Sequence, residues 1–199
     1  MTQHAVSAAG DLRIVGLDLS VTSAGMSDGR THWVTQTSSD DPIEYRLDRI
    51  VVRAMAFVHG AGDWGQDADL VVIESGAFSR GAQNEGAEWL SALRYLVRVR
   101  LWQGGFPFAM VTPTTLKAYT AGHGKATKAE MVSAVFNRHG VDLSKVMVKD
   151  GRYDMADALA LAAMGYAQVG QPLKTEGPPP PRKSLLAVKW PHLHLPEGN

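Results

Sequence analysis

The chain has no cysteine among its 199 residues. That excludes a disulfide framework and every thiolate zinc site, so any metal must be met by oxygen or imidazole ligands. No run approaches the ~18 uninterrupted apolar residues that a membrane-crossing helix needs. Met1 to Leu12 lacks the basic flank and apolar stretch of a secretory signal. Together these absences lead to the expectation of a soluble protein of the cytoplasm with no membrane partner. Net charge is missing as well, because 20 Lys+Arg balance 20 Asp+Glu.

The balance is not uniform along the chain. Residues 1–77 hold 5 Lys+Arg against 11 Asp+Glu, residues 78–152 hold 11 against 5, and residues 153–199 hold 4 against 4. A basic middle third after an acidic first third suits a cationic face beside a carboxylate pocket, as phosphate-backbone binding requires. The alternative is charge segregated by chance on solvated faces. A hydrophobic content of 45% is ordinary for a globular protein, and the length fits one domain with an appendage.

Periodicity predicts the elements. Arg13 to Ser20 reads as a buried strand, and Ala24 to Ser27 and Thr31 to Thr37 flank the turn pair Asp28-Gly29, so the chain opens as an antiparallel three-strand meander. Asp41-Pro42 starts a helix with apolar positions at Ile43, Leu47, Ile50, Val51, Ala54 and Phe57. Leu70 to Glu74 is short, apolar and β-branched, as a strand buried on both faces is. A loop with Gly76, Gly81 and Gly86 leads to a helix over Glu85 to Gln103. Phe108 to Thr112 is a further strand, Pro113 opens a short helix, Thr127 to His139 is an amphipathic helix ending at Gly140, and an alanine-rich helix spans Tyr153 to Val169. The expected fold class is α/β: a mixed five-stranded sheet, three strands as a meander and two parallel, flanked by helices in the order of the ribonuclease H-like fold. The expected organisation is an N-terminal extension over 1–12, the folded domain over 13–170 and a Pro-rich tail over 171–199, whose apolar end either docks or stays disordered.

Carboxylates embedded in these apolar elements carry the chemistry. Asp18 lies in the first strand, Glu74 ends the second apolar run, and Asp154 and Asp157 are three residues apart on one helical face. Charges so placed are expensive to bury unless they are paired or ligate a cation. Carboxylates are the ligands that hard Mg²⁺ or Mn²⁺ prefers, and two such ions ~3.5–4 Å apart support phosphodiester hydrolysis.

Gly16-Leu17-Asp18-Leu19-Ser20, Ile73-Glu74 followed by Phe78, Thr112-Pro113 through Leu116-Lys117, Gly122-His123-Gly124-Lys125-Ala126-Thr127-Lys128 and Asp154-Met155-Ala156-Asp157-Ala158-Leu159-Ala160 together resemble the RuvC family of Holliday-junction resolvases, in a divergent, bacteriophage-type form. The resemblance spans Arg13 to Val169. It implies a homodimer, Mg²⁺ dependence with two ions per site and Mn²⁺ as a substitute, and paired nicking of a four-way junction or related branched DNA. If the chain is phage-encoded, it would work in a bacterial host cell. It further implies that Asp18, Glu74, Asp154 and Asp157 are the catalytic metal ligands, that Lys117 and Lys128 lie near the scissile phosphate, and that Phe78 stacks on bases at the opened junction. Lys125 and Arg80 are expected near the DNA phosphates as well. The glycine-rich stretch 76–88 and the Pro-rich tail depart from the family pattern.

The helix 85–103 carries Trp89, Leu93, Leu96, Val97 and Leu101 on overlapping apolar faces, which suits packing on the sheet and pairing with a second copy. Two other readings compete. One is a catalytically silent DNA-binding protein of the same fold, disfavoured by four intact acids. The other is an actin-like or sugar-kinase-type ATP-binding module, which needs a second domain and a second phosphate motif that 199 residues cannot hold.

Overall fold

The computed structural model describes residues 12–61, 65–76, 85–173 and 181–193. Phe78 and Arg80, expected at the DNA, lie outside the described residues. A single sheet runs in the order β3-β2-β1-β4-β5. Strands β1 (Ile14–Asp18), β2 (Ser23–Ser27) and β3 (His32–Gln36) form the antiparallel meander, and β4 (Leu70–Glu74) and β5 (Phe108–Val111) extend it in parallel. The mixed five-stranded sheet flanked by helices is the one expected from the sequence.

Alternation along the strands divides the core into two layers. Ile14, Leu70, Val72, Ala109 and Val111 face helices α3 (Pro113–Ala121), α4 (Lys128–His139) and α5 (Arg152–Gln168). Val15, Leu17, Val71 and Ile73 face the other way, onto α1 (Ile43–Val58) and α2 (Glu85–Gly104). Helix α5 is apolar nearly all round and is correspondingly buried from Ala158 to Tyr166, as a helix between two layers must be. A short 3₁₀ turn at Val148–Asp150 precedes it.

The meander turn does more than reverse the chain. The Asp28 carboxylate accepts from the backbone N–H groups of Arg30 and Thr31 (3.1 and 2.8 Å) and is ion-paired with Arg13 at 3.2 Å. Arg13 is only 1% exposed. Its remaining guanidinium N–H groups donate to the carbonyls of Phe57, Val58 and Gln66, so one buried cation ties the start of β1 to the end of α1. A buried charge is tolerated only when it is hydrogen-bonded this fully.

Beyond α5, Leu173, Leu185, Trp190 and Leu193 pack on the α3–α5 side of the core and Val188 is buried there. A short helix α6 (Arg182–Leu186) forms within this segment, and the Trp190 indole N–H donates to the Leu185 carbonyl at 2.9 Å. Part of the tail therefore docks on its own domain, because its apolar residues find the uncovered edge of that layer.

Candidate active site

Strands β1 and β4 run parallel with Leu17 opposite Ile73, so the next residues, Asp18 and Glu74, stand side by side at the carboxyl end of the sheet. Both have the parity of Ile14 and Val72 and project to the α5 side. Ligand sites of open α/β sheets gather at this end.

Helix α5 delivers the other two acids by pressing unusually close to the sheet. A Cβ added at Gly16 would lie 2.1 Å from the Ala158 carbonyl oxygen, and one added at Gly25 would lie 2.1 Å from that of Asp154. Only glycine in the strands allows this approach, and the alanines of α5 keep the facing surface flat. The Ser23 hydroxyl, at the start of β2, donates to the Asp154 carboxylate at 2.5 Å and fixes its orientation.

The basic residues come from α3 and α4, each started by a cap. Thr112 accepts from the N–H of Thr115 ahead of Pro113, and Thr127 and Glu130 form a reciprocal capping box that sets Lys128 in the first turn of α4. The Lys128 ammonium lies 5.3 Å from the Tyr153 ring centroid, within cation–π range.

Electrostatics joins these groups into one site. Burial raises the Asp18 pKa well above the usual carboxylate range, and Asp157, Glu74 and Asp154 raise it further against the opposing charge of Lys128. Burial and Asp157 push Glu74 up to about 7 against Arg94, Lys117 and Lys128. Asp157 rises to about 6, chiefly by burial, with Lys128 opposing and Asp154 adding. Asp154 is raised by burial, against the Ser23 hydrogen bond and Lys128. Lys128 thus offsets part of the charge of all four acids and Lys117 that of Glu74 and Asp157, while Lys125 is exposed in the turn before α4. His123 lies 3.7 Å from Glu130 on the surface.

Four carboxylates under mutual repulsion, all partly open to solvent, are a hard-oxygen donor set with surplus negative charge, so they fit a divalent cation by chemistry. Among the described residues, no three of them stand close enough to hold an ion as arranged. Two participants were missed in the sequence. Ser23 sits in an unremarkable hydroxyl-rich turn. Arg94 had one usable signal, its position directly after Leu93 on the apolar face of the helix over 85–103.

The raised carboxyl pKa values set a pH dependence. A native-state pKa above the unfolded value means the native protein holds its proton more tightly, so stability rises as pH falls from about 7 towards 4.5 for Glu74 and from about 6 towards 3.8 for Asp157. Without divalent cation at pH 8, Glu74→Gln should therefore melt higher than the wild type, by about 2–4 °C for each kcal/mol of repulsion relieved. The difference should shrink towards pH 5. Thermal melts across this range check it, and an E74Q variant that melts lower at pH 8 would count against it.

No family model matches the sequence. The crossover junction endodeoxyribonuclease RuvC of Nocardioides sp. is 32% identical over 165 residues, covering 76% of this chain and 84% of that one. This chain belongs to the RuvC family. RuvC of Thermus thermophilus is 29% identical over 137 residues, 69% of this chain and 76% of its own. The structure of T. thermophilus RuvC in complex with a Holliday junction substrate superposes with a TM-score of 0.62 at 25% identity, over 83% of this chain and 99% of that chain. The yeast mitochondrial Holliday junction resolvase shares the fold, with a TM-score of 0.50 at 14% identity over 76% of each chain. Among the described residues no helix is long and apolar enough to cross a membrane.

Proposed function

We propose that this RuvC-family chain is a metal-dependent, structure-specific endodeoxyribonuclease that resolves four-way junctions or related branched DNA. The observation that carries the reading is the convergence of Asp18, Glu74, Asp154 and Asp157 at one end of the sheet, each raising or feeling the charge of another. In this reading the four acids hold Mg²⁺, with Mn²⁺ as a substitute. When bound, the ions supply a nucleophilic water and neutralise charge developing on the phosphate.

The chain's own groups do the rest. Ser23 holds Asp154 in one rotamer by its hydrogen bond. Lys117 and Lys128 balance part of the acidic charge and receive the phosphate, and Tyr153 keeps the Lys128 ammonium near the acids. Lys125, three residues before Lys128, extends the basic surface along the DNA backbone, and Phe78 and Arg80 have the same substrate roles as in the sequence reading. The substrate test is digestion of labelled four-way junction, fork, flap and linear duplex with Mg²⁺, Mn²⁺ or chelator. Branched DNA should be cut only with metal present. Equal cutting of linear duplex, or no cutting of any branched form, would refute the reading.

The reading includes a homodimer, since two symmetric nicks need two sites. Its support is the outer face of α2. Leu93, Val97 and Leu101 are buried against the sheet, yet Tyr95 and Trp102 are 62% and 64% exposed, with Leu96 and Val99 beside them. An aromatic of this kind at the centre of an interface is worth ≥ ~2 kcal/mol. Light scattering should report a dimer for the wild type and a folded monomer for Trp102→Glu. A wild type that stays monomeric both free and with junction DNA would exclude the pairing.

A further inference from the structure

The cations that act on the acids reach them from both layers of the core. Lys117 and Lys128 come from α3 and α4, on the α5 side of the sheet. Arg94 comes from α2, whose Leu93 and Val97 pack in the opposite layer, and its charge acts on Glu74 and Asp18 across the sheet end. The guanidinium lies against the backbone that leaves β4: a Cβ added at Gly76 would be 3.0 Å from its Nη1. Gly76 thus provides the space the guanidinium fills.

Arg94 is near the acids without being spent on them. Its Nε–H is shielded from solvent and has no hydrogen-bond partner, and among the described residues the guanidinium has no ion pair. The Arg98 Nε–H is shielded in the same way, but the Arg94 side chain is only partly buried and acts on the acids, so the N–H groups at its open end are available to an acceptor entering the site. The acceptor that enters a site of four carboxylates and needs cations is a phosphate, and a planar guanidinium matches a phosphate with two parallel N–H groups where an ammonium offers a point charge.

We propose that Arg94 is a further substrate-contacting residue, donating to a non-bridging phosphate oxygen of the DNA strand that enters beside Glu74, on the side of the sheet opposite Lys117 and Lys128. The proposal rests on the nuclease reading and deepens it. DNA would then be held between cations from two layers, with the acids between them. Gly76 is the positioning residue, because a methyl group there would meet Nη1 at 3.0 Å and push the guanidinium off its place by a few tenths of an ångström without altering its charge.

The test uses full-length Arg94→Ala, Arg94→Lys and Gly76→Ala, each compared with the wild type in two measurements. The first is junction affinity over several salt concentrations without divalent cation. The second is the single-turnover cleavage rate with Mg²⁺ at saturating protein. Arg94→Ala should flatten the slope of log affinity against log salt by about 0.9, the loss of one phosphate contact, and slow cleavage at least tenfold. Arg94→Lys should restore the slope but not the full rate, and Gly76→Ala should keep its charge and still lose rate.

A wild-type slope and rate in Arg94→Ala would overturn the proposal, and so would a lysine variant that restores both completely. If Arg94→Ala fails to fold, the lysine and Gly76 variants decide by the same two readouts. A wild type that binds junctions but cuts no branched DNA would sink the nuclease reading alone, since the salt slopes still decide Arg94. A wild type that binds no DNA would overturn both.

Discussion

Gly25→Ala should leave a protein that folds with reduced stability and cuts poorly. The new methyl carbon would stand 2.1 Å from the Asp154 carbonyl oxygen and 2.4 Å from its carbonyl carbon. Both are backbone atoms of the first turn of α5, so no side-chain rotation relieves the clash. The helix end must lift from β2, which carries Asp154 away from Ser23 and Asp157 away from Asp18. Overpacking of this kind costs about 1–3 kcal/mol, and a displacement of about 1 Å in a catalytic group costs on the order of 10²-fold in rate. Melting temperature and single-turnover junction cleavage, measured on the same preparation, check the expectation. Wild-type cleavage in Gly25→Ala would mean that the close approach of α5 is not what assembles the acids. Gly16→Ala, with its clash at Ala158 in the middle of the helix, should be the more severe for stability.

This dependence on two strand glycines marks the limit of what the sequence discloses. The acids were legible because a charge in an apolar run is conspicuous: Asp18 after Ile14 to Leu17, Glu74 after Leu70 to Ile73, and two aspartates in a helix of alanines. The meander was legible from Asp28-Gly29, and α4 from Thr127 at one end and Gly140 at the other. Gly16 and Gly25 carry no such mark, since a glycine in a strand reads only as a weak strand former. Its purpose appears when the helix lying on it is known. Long-range partners stay hidden for the same reason. Arg13 looks like the polar edge of a strand until α1 brings the Phe57 and Val58 carbonyls to it, and Arg94 looks like a surface arginine until α2 brings its guanidinium against the backbone at Gly76. Composition leaves the docking of the tail's apolar end open, because apolar residues after a proline run specify a wish for burial and not the surface that grants it.

Asp18→Asn, Glu74→Gln and Asp157→Asn should each abolish strand cleavage, by about 10³-fold or more, while folding and junction binding persist. Each change removes a negative oxygen from the donor set and keeps the side-chain volume, so packing is preserved. Relief of repulsion should even favour the metal-free fold, as the raised Asp18, Glu74 and Asp157 pKa values require. Asp154→Asn should also be damaging, with a smaller effect, because Asp154 shares its helix face with Asp157 and is already engaged by Ser23. The rates come from single-turnover assays on a labelled junction, and affinity from titration of the same junction. Cleavage near the wild-type rate in any one of the three would remove that residue from the ligand set. Loss of fold in all three would instead make the acids structural.

The most direct measurement is calorimetric titration of Mn²⁺ into the wild type and into each single variant of the four acids, with junction DNA present. The account predicts about two ions bound per chain in the wild type and binding lost or much weakened in Asp18→Asn, Glu74→Gln and Asp157→Asn. Undiminished Mn²⁺ binding in all four variants, or none in the wild type, would contradict it.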